Sequence, residues 1–203
     1  MIKKALFIAL VSISSASFAG NFQVKIGASA LVPSEDNNTL ANGAVPHVKA
    51  DTAYSFTPSI EYFFTNTNIS TELLLATPFK HDVTSNGTKI ASFKHLPPTL
   101  TVKYNFNNVS QFTPYVGIGA TAVLPFSEKT TGPIAGHDLD AKVAYGVAGQ
   151  IGFNFKPKQS THWGLFADVR YANVKSKLKL DGNNIGDLKV NPWVYTLGYS
   201  YHF

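Results

Sequence analysis

The sequence predicts an all-β fold, an eight-stranded antiparallel transmembrane β-barrel of the bacterial outer membrane. Three observations carry this expectation. Apolar and polar residues alternate with period two along almost the whole chain, as in strands that have one greasy face. The connections between strands are by turns short and long. Aromatic residues recur at one depth beside the short turns, as in an interfacial girdle. Composition agrees. Of 203 residues 44% are hydrophobic and only 14% are charged, against about a quarter charged in soluble domains. The chain is too apolar for a disordered segment, yet it has no apolar run of about 18 residues from which to build a spanning helix. It contains no Cys, which excludes disulfides, thiolate metal sites and Cys nucleophiles together.

Residues 1–19 read as a cleaved secretory signal peptide. Lys3-Lys4 supplies the positive start, Ala5 to Ile13 the apolar middle, and Ser17-Phe18-Ala19 the small-residue cleavage signal. Residues 20–203 then form a single β-barrel domain, and loss of two lysines lowers the formal net charge from +5 to +3.

The strands follow in order. Phe22, Val24, Ile26, Ala28 and Ala30 alternate with Gln23, Lys25, Gly27 and Ser29 in the first. Tyr54 to Tyr62 repeats the pattern on even numbers, opposite Ser55, Thr57, Ser59 and Glu61. Ile69, Thr71, Leu73, Leu75 and Phe79 share the apolar face of the third, and Leu96 to Phe106 that of the fourth. The fifth sets Phe112, Val116, Ile118 and Ala120 against Gly117 and Gly119; the sixth sets Tyr145, Val147, Ile151 and Phe153 against Gly146, Gln150 and Gly152. The seventh runs from Trp163 to Tyr171 and the eighth from Trp193 to Phe203. After Tyr171 the apolar parity slips toward Lys175, Lys177 and Lys179, which reads as a bulge or a membrane exit near Ala172-Asn173.

Thr65–Asn68, Asn107–Gln111 and Lys156–Thr161 are short and polar, whereas Val32–Asp51, His81–Lys94 and Phe126–Leu139 read as long loops. Seven aromatics (Phe22, Phe64, Phe106, Phe112, Phe155, Trp163 and Phe203) sit next to short turns or termini. A second, less regular ring comprises Tyr54, Phe79, Phe126, Tyr145, Tyr171 and Trp193. A soluble sandwich or lipocalin-like barrel alternates in the same way with its apolar face inward. Its exterior would then be rich in glycine and poor in charge, whereas small residues suit a narrow eight-strand lumen.

Parity alone assigns an interior. Lys25, Glu61, Glu72, Lys103 and Asp168 point inward as a charged floor, with Glu61 opposite Glu72 across the Thr65–Asn68 turn. Adjacent carboxylates repel, so the flanking lysines read as neutralising partners, giving either a salt-bridged plug or an ion-responsive gate. Leu74, Ala76, Pro78, Pro97, Phe166, Pro192 and Val194 share the inward parity higher up as a lumen lining. Arg170, the only arginine, joins them either as the partner of a carboxylate or as a selectivity residue. Prolines donate no ladder hydrogen bond. Pro78, Pro97 and Pro98 on neighbouring strands therefore mark either a lateral exit into the bilayer or strand ends above the membrane.

Several motifs in sequence, Glu72-Leu73-Leu74-x-Ala76-Thr77-Pro78-Phe79-Lys80-His81, His95-Leu96-Pro97-Pro98-Thr99-Leu100, Pro114-Tyr115-Val116-Gly117-x-Gly119 and Val190-Asn191-Pro192-Trp193-Val194, resemble the outer membrane protein W (OmpW) family over the whole mature chain. The resemblance implies a narrow channel for uptake of small hydrophobic molecules, with bacteriocin or phage binding in some settings. The terminal Thr196-x-Gly198-x-x-Tyr201-x-Phe203 resembles the signal read by the barrel assembly machinery. Outer-membrane lipid and lipopolysaccharide are the expected surroundings, the latter meeting the strand-seven lysines unless these form a plain solvated hairpin. No nucleic acid, cofactor or metal is expected, and no lipid-facing Ser–His–acid set suggests an enzyme. The rival reading is a surface receptor, adhesin or structural barrel acting through its long loops.

Overall fold

Alternation in a chain with one apolar face per strand closes into a ring, because lipid offers no water to satisfy an open sheet edge. The computed structural model describes residues 21–35, 38–107, 110–160 and 162–203; the proposed leader, 1–19, lies outside them. The strands are β1 (Phe22–Val32), β2 (Asn38–Leu40), β3 (Val45–Ala50), β4 (Ala53–Phe63), β5 (Ile69–Leu74), β6 (Phe79–Ser85) and β7 (Thr88–Leu96). They continue with β8 (Thr99–Asn105), β9 (Phe112–Thr130), β10 (Leu139–Ala141), β11 (Ala144–Phe155), β12 (Trp163–Leu180), β13 (Asn183–Lys189) and β14 (Trp193–His202). The membrane ring is β1-β4-β5-β8-β9-β11-β12-β14, all antiparallel, with β14 pairing back onto β1.

The outer face is apolar and bare. Ile26, Phe56, Ile118, Val147, Leu197 and Tyr199 are 60–69% exposed, while Lys25 and Glu61 are fully buried inside. A water-soluble barrel would have these the other way round, so this face meets lipid tails. Exposed Phe64, Phe106, Phe112, Trp163 and Phe203 ring the end that holds the short turns, the start of β1 and the end of β14. Tyr54, Tyr145 and Trp193 mark the opposite interface.

Above that upper ring the structure departs from the expected long loops, which fold into sheet. β6 and β7 form a hairpin turning at Asn86-Gly87, and β12 and β13 another at Asp181-Gly182, both residues of each pair having positive φ. That is type I′ geometry, which Asn-Gly and Asp-Gly tolerate. β2 pairs with β3 and β3 with β6, and β7 and β10 join the extended ends of β9 and β12. Inside this tier Leu40, Val48, Val83, Ile90, Leu178 and Leu188 make an apolar core.

The slip expected near Ala172-Asn173 is a change of solvent, and the bulge does not exist there. The β11–β12 register runs unbroken to Val174, and even-numbered residues stay inward through Leu178. Outside the bilayer the outer face meets water, so it carries Lys175 and Lys177 while the inner face becomes apolar. A real phase change lies at Leu75–Pro78, between β5 and β6. It turns Phe79, expected in the outer aromatic ring, into the barrel, where it is 1% exposed.

Inward glycines leave room for large side chains. A Cβ on Gly198 would collide with the Ile26 carbonyl oxygen and lie 2.7 Å from the Phe166 ring. Gly198→Val is accordingly expected to cost about 1–3 kcal/mol by overpacking, checked by urea unfolding in lipid vesicles followed through Trp163 and Trp193.

Candidate functional site

The β4–β5 register sets Glu61 directly opposite Glu72. Lys103 on β8 bridges them, its Nζ 2.8 Å from Glu61 Oε2 and 3.0 Å from Glu72 Oε2. Lys25 on β1 approaches Glu61 Oε2 to 2.5 Å. From β12, Arg170 Nη2 lies 3.2 Å from both Glu72 Oε1 and Asp168 Oδ2. Hydroxyls and an amide complete the carboxylate shells: Ser70 donates to Glu61 (2.5 Å), Ser59 to Glu72 (2.6 Å), Tyr115 to Asp168 (3.2 Å), and Gln150 to Glu72 and Asp168 (3.3 Å each). The Lys103 ammonium also sits 3.7 Å from the centre of the Tyr115 ring, a cation–π contact. Three cations face three carboxylates, so the floor is formally neutral.

All five floor candidates, Lys25, Glu61, Glu72, Lys103 and Asp168, thus meet in one network. Phe166 belongs to it as well and not to the upper lining, for its ring lies 5.1 Å from Lys25 Nζ. Tyr115, Gln150, Ser59 and Ser70 went unassigned from the sequence; each lies on the inward parity of its strand, which is the signal that finds them.

Above the floor lies a cavity of about 130 Å³ whose wall is almost wholly apolar. Leu74, Pro97, Pro192, Val194 and Arg170 line it. Ala76 packs behind, against the cluster of Leu31, Ala53 and Phe79. Pro78 does not join the lining; the phase change leaves it half-buried beside exposed Thr77, and Phe79 takes its inward place.

The barrel wall is interrupted beside this cavity. The β5–β8 ladder ends at Leu74↔Thr99, and the β6–β7 ladder resumes only at Phe79↔His95. The intervening residues bond away from each other. Leu75 and Thr77 N–H donate to the Pro58 and Phe56 carbonyls of β4 (2.8 Å each), while the Pro98 carbonyl accepts from Ala122 N–H of β9 (3.0 Å). Tyr54 follows on β4, and Tyr145 pairs with Ala122, so the interruption stands at the upper interface ring.

His81, at the start of an expected long loop, and His95 lie inside the upper tier. The rings of His81 and His95 stack at 5.0 Å, flanked by Phe79 and Phe93. His81 Nδ1 meets the Asp51 carbonyl at 2.5 Å. Burial, reinforced by His81, brings His95 down to about 3, and burial lowers His81 too. Both imidazoles are therefore neutral at ordinary pH. On the outer surface Lys175 pairs with Asp187 at 2.7 Å, which partly cancels the basic ribbon.

A lipid-facing ring of eight strands around a paired, neutral floor defines the class: a small outer-membrane β-barrel. The OmpW family model matches residues 18–203, and the chain belongs to that family. It is 36% identical over 199 residues to outer membrane protein W of Vibrio cholerae, covering 91% of this chain and 89% of that one. With its counterpart in Escherichia coli it shares 33% over 194 residues, at 91% and 89% coverage. The crystal structure of OprG from Pseudomonas aeruginosa superposes with a TM-score of 0.79 at 28% identity, covering 91% of this chain and 96% of that one. The solid-state NMR structure of AlkL in lipid bilayers gives a TM-score of 0.63 at 26% identity, with 91% and 90% coverage. The protein is an outer-membrane barrel of this type, and its place is the bacterial outer membrane.

Proposed function

We propose that the barrel takes small hydrophobic molecules from outside into the upper cavity and releases them sideways into the bilayer. The observation that carries this reading is the break in the wall between Leu74↔Thr99 and Phe79↔His95, beside the cavity and at the level of the upper aromatic ring. Below the cavity the charged floor acts as a plug. A lipophilic solute has no reason to cross it, since doing so would strip buried ions of their partners. The lateral path runs between Ala76-Thr77 and Pro97-Pro98, where neither strand offers the other a ladder bond. No step in this reading is catalytic.

Repairing or blocking the gap tests it. Pro97→Thr with Pro98→Val restores two backbone donors, and Ala76→Trp fills the path. Each is expected to reduce uptake of a radiolabelled short alkane severalfold in deletion cells complemented with that variant. Unchanged uptake in both variants would reject the lateral exit. Uptake by the unmodified barrel no greater than that of empty-vector cells would reject transport altogether, in favour of a receptor acting through the extracellular tier.

A further inference from the structure

The first outward rung above the wall gap carries two like charges side by side. In the β6–β7 register Lys80 stands directly opposite Lys94, both exposed, while their neighbours Phe79 and His95 turn inward. Residues so placed have Cβ atoms about 5 Å apart, and like charges there repel. Neither ammonium has an ion-pair partner among the described residues. The acids of the same outer face, Asp51 and Asp82, stand a rung further from the membrane, where Lys89 pairs with Asp82 at 2.7 Å. The β12 ribbon, by contrast, is partly answered within the protein: Lys175 by Asp187 and the adjoining Lys142 by Asp140.

Below the two lysines the same outward parity is apolar. Pro78 lies two residues below Lys80 and Leu96 two below Lys94, and Leu96 pairs with exposed Leu124 of β9. Exposed Leu100 of β8 continues the strip toward mid-membrane. Two unanswered cations over an apolar strip match a lipid whose phosphate lies at headgroup depth and whose chain runs down the wall. Free phosphate would use only the upper half of this surface. A soluble acidic partner could not reach the lower half, which faces hydrocarbon.

We propose that Lys80 and Lys94 hold a phosphate of lipid A, the phosphorylated anchor of lipopolysaccharide in the outer leaflet, with an acyl chain against Leu96 and Leu124. The lipid then stands at the edge of the wall gap, whether or not solutes leave through it.

The test places the intact barrel in phosphatidylcholine nanodiscs carrying graded amounts of diphosphoryl lipid A, without divalent cations, and counts the retained lipid by native mass spectrometry. Lys80→Gln with Lys94→Gln is expected to weaken retention about thirtyfold, at about fivefold for each basic residue beside an anionic surface. Lys175→Gln with Lys177→Gln removes the same charge from the β12 ribbon and should leave retention unchanged. Both variants alter only water-exposed side chains, so the barrel itself stays intact. Lipid A stripped of its phosphates should bind the unmodified barrel no better than lipid A binds the Lys80→Gln, Lys94→Gln variant. Inorganic phosphate at constant ionic strength should not displace the intact lipid. An equal loss in the two double variants would overturn the assignment to Lys80 and Lys94. Equal retention of the dephosphorylated lipid or of phosphatidylglycerol, or displacement by inorganic phosphate, would overturn the assignment to lipid A.

Discussion

Lys103→Met is expected to cost the barrel about 3–5 kcal/mol, the penalty for leaving a buried charge without its partner. Lys103 is the one cation that touches both glutamates at 3.0 Å or less. Without it, three carboxylates share two cations. The substitution nearly preserves volume, so a cavity cannot account for a loss of that size. Adding Glu61→Gln restores neutrality, and the double variant should regain more than half of the loss. Urea unfolding in lipid vesicles measures both, with lipid-facing Trp163 and Trp193 as reporters. If the single and double variants are equally unstable, packing around Lys103 matters and its charge does not.

The second large effect is one of pH. His95 titrates at about 3 in the folded barrel, against about 6.5 in an unfolded chain. Between these values the unfolded state binds the extra proton, so stability falls as the pH drops through that window. From pH 7 to pH 5 the loss is expected to reach about 2 kcal/mol, at roughly 1.4 kcal/mol per unit, with His81 acting in the same direction. His95→Phe keeps a ring in the stack between Phe79 and Phe93 and should flatten most of this dependence. Hydrogen exchange of β6 and β7 amides, corrected for its intrinsic pH dependence, locates the effect. An equal pH slope in the His95→Phe variant would remove His95 as its source.

Within the membrane the fold was legible because lipid outside and a cramped lumen inside impose a period of two on every strand. Parity places Lys25, Glu61, Glu72, Lys103 and Asp168 in one floor, and turn length alone pairs Glu61 with Glu72. Above the membrane the same period persists, but water replaces lipid and the meaning of each face inverts. That is why Lys175 and Lys177 imitate a bulge, and why the segments around Val48, Val83 and Ile90 look like loops. The Asn86-Gly87 and Asp181-Gly182 pairs are the local signals of the hidden hairpins. The one-residue phase change before Phe79 has no such signal beyond Pro78, and it conceals both the inward turn of Phe79 and the burial of His81.

The floor draws its members from Lys25 near the start of the chain to Arg170 near its end, and Ser29 ties β1 to both neighbours, at 2.7 Å to Thr57 and 2.8 Å to Thr196. No partial barrel can assemble it. A strand that docked one residue out of step would swing its ion into hydrocarbon, at about 2–4 kcal/mol for a lysine at mid-membrane. The buried ions therefore act as a proof-reading device for closure, penalising every misaligned cylinder before the last strand meets the first.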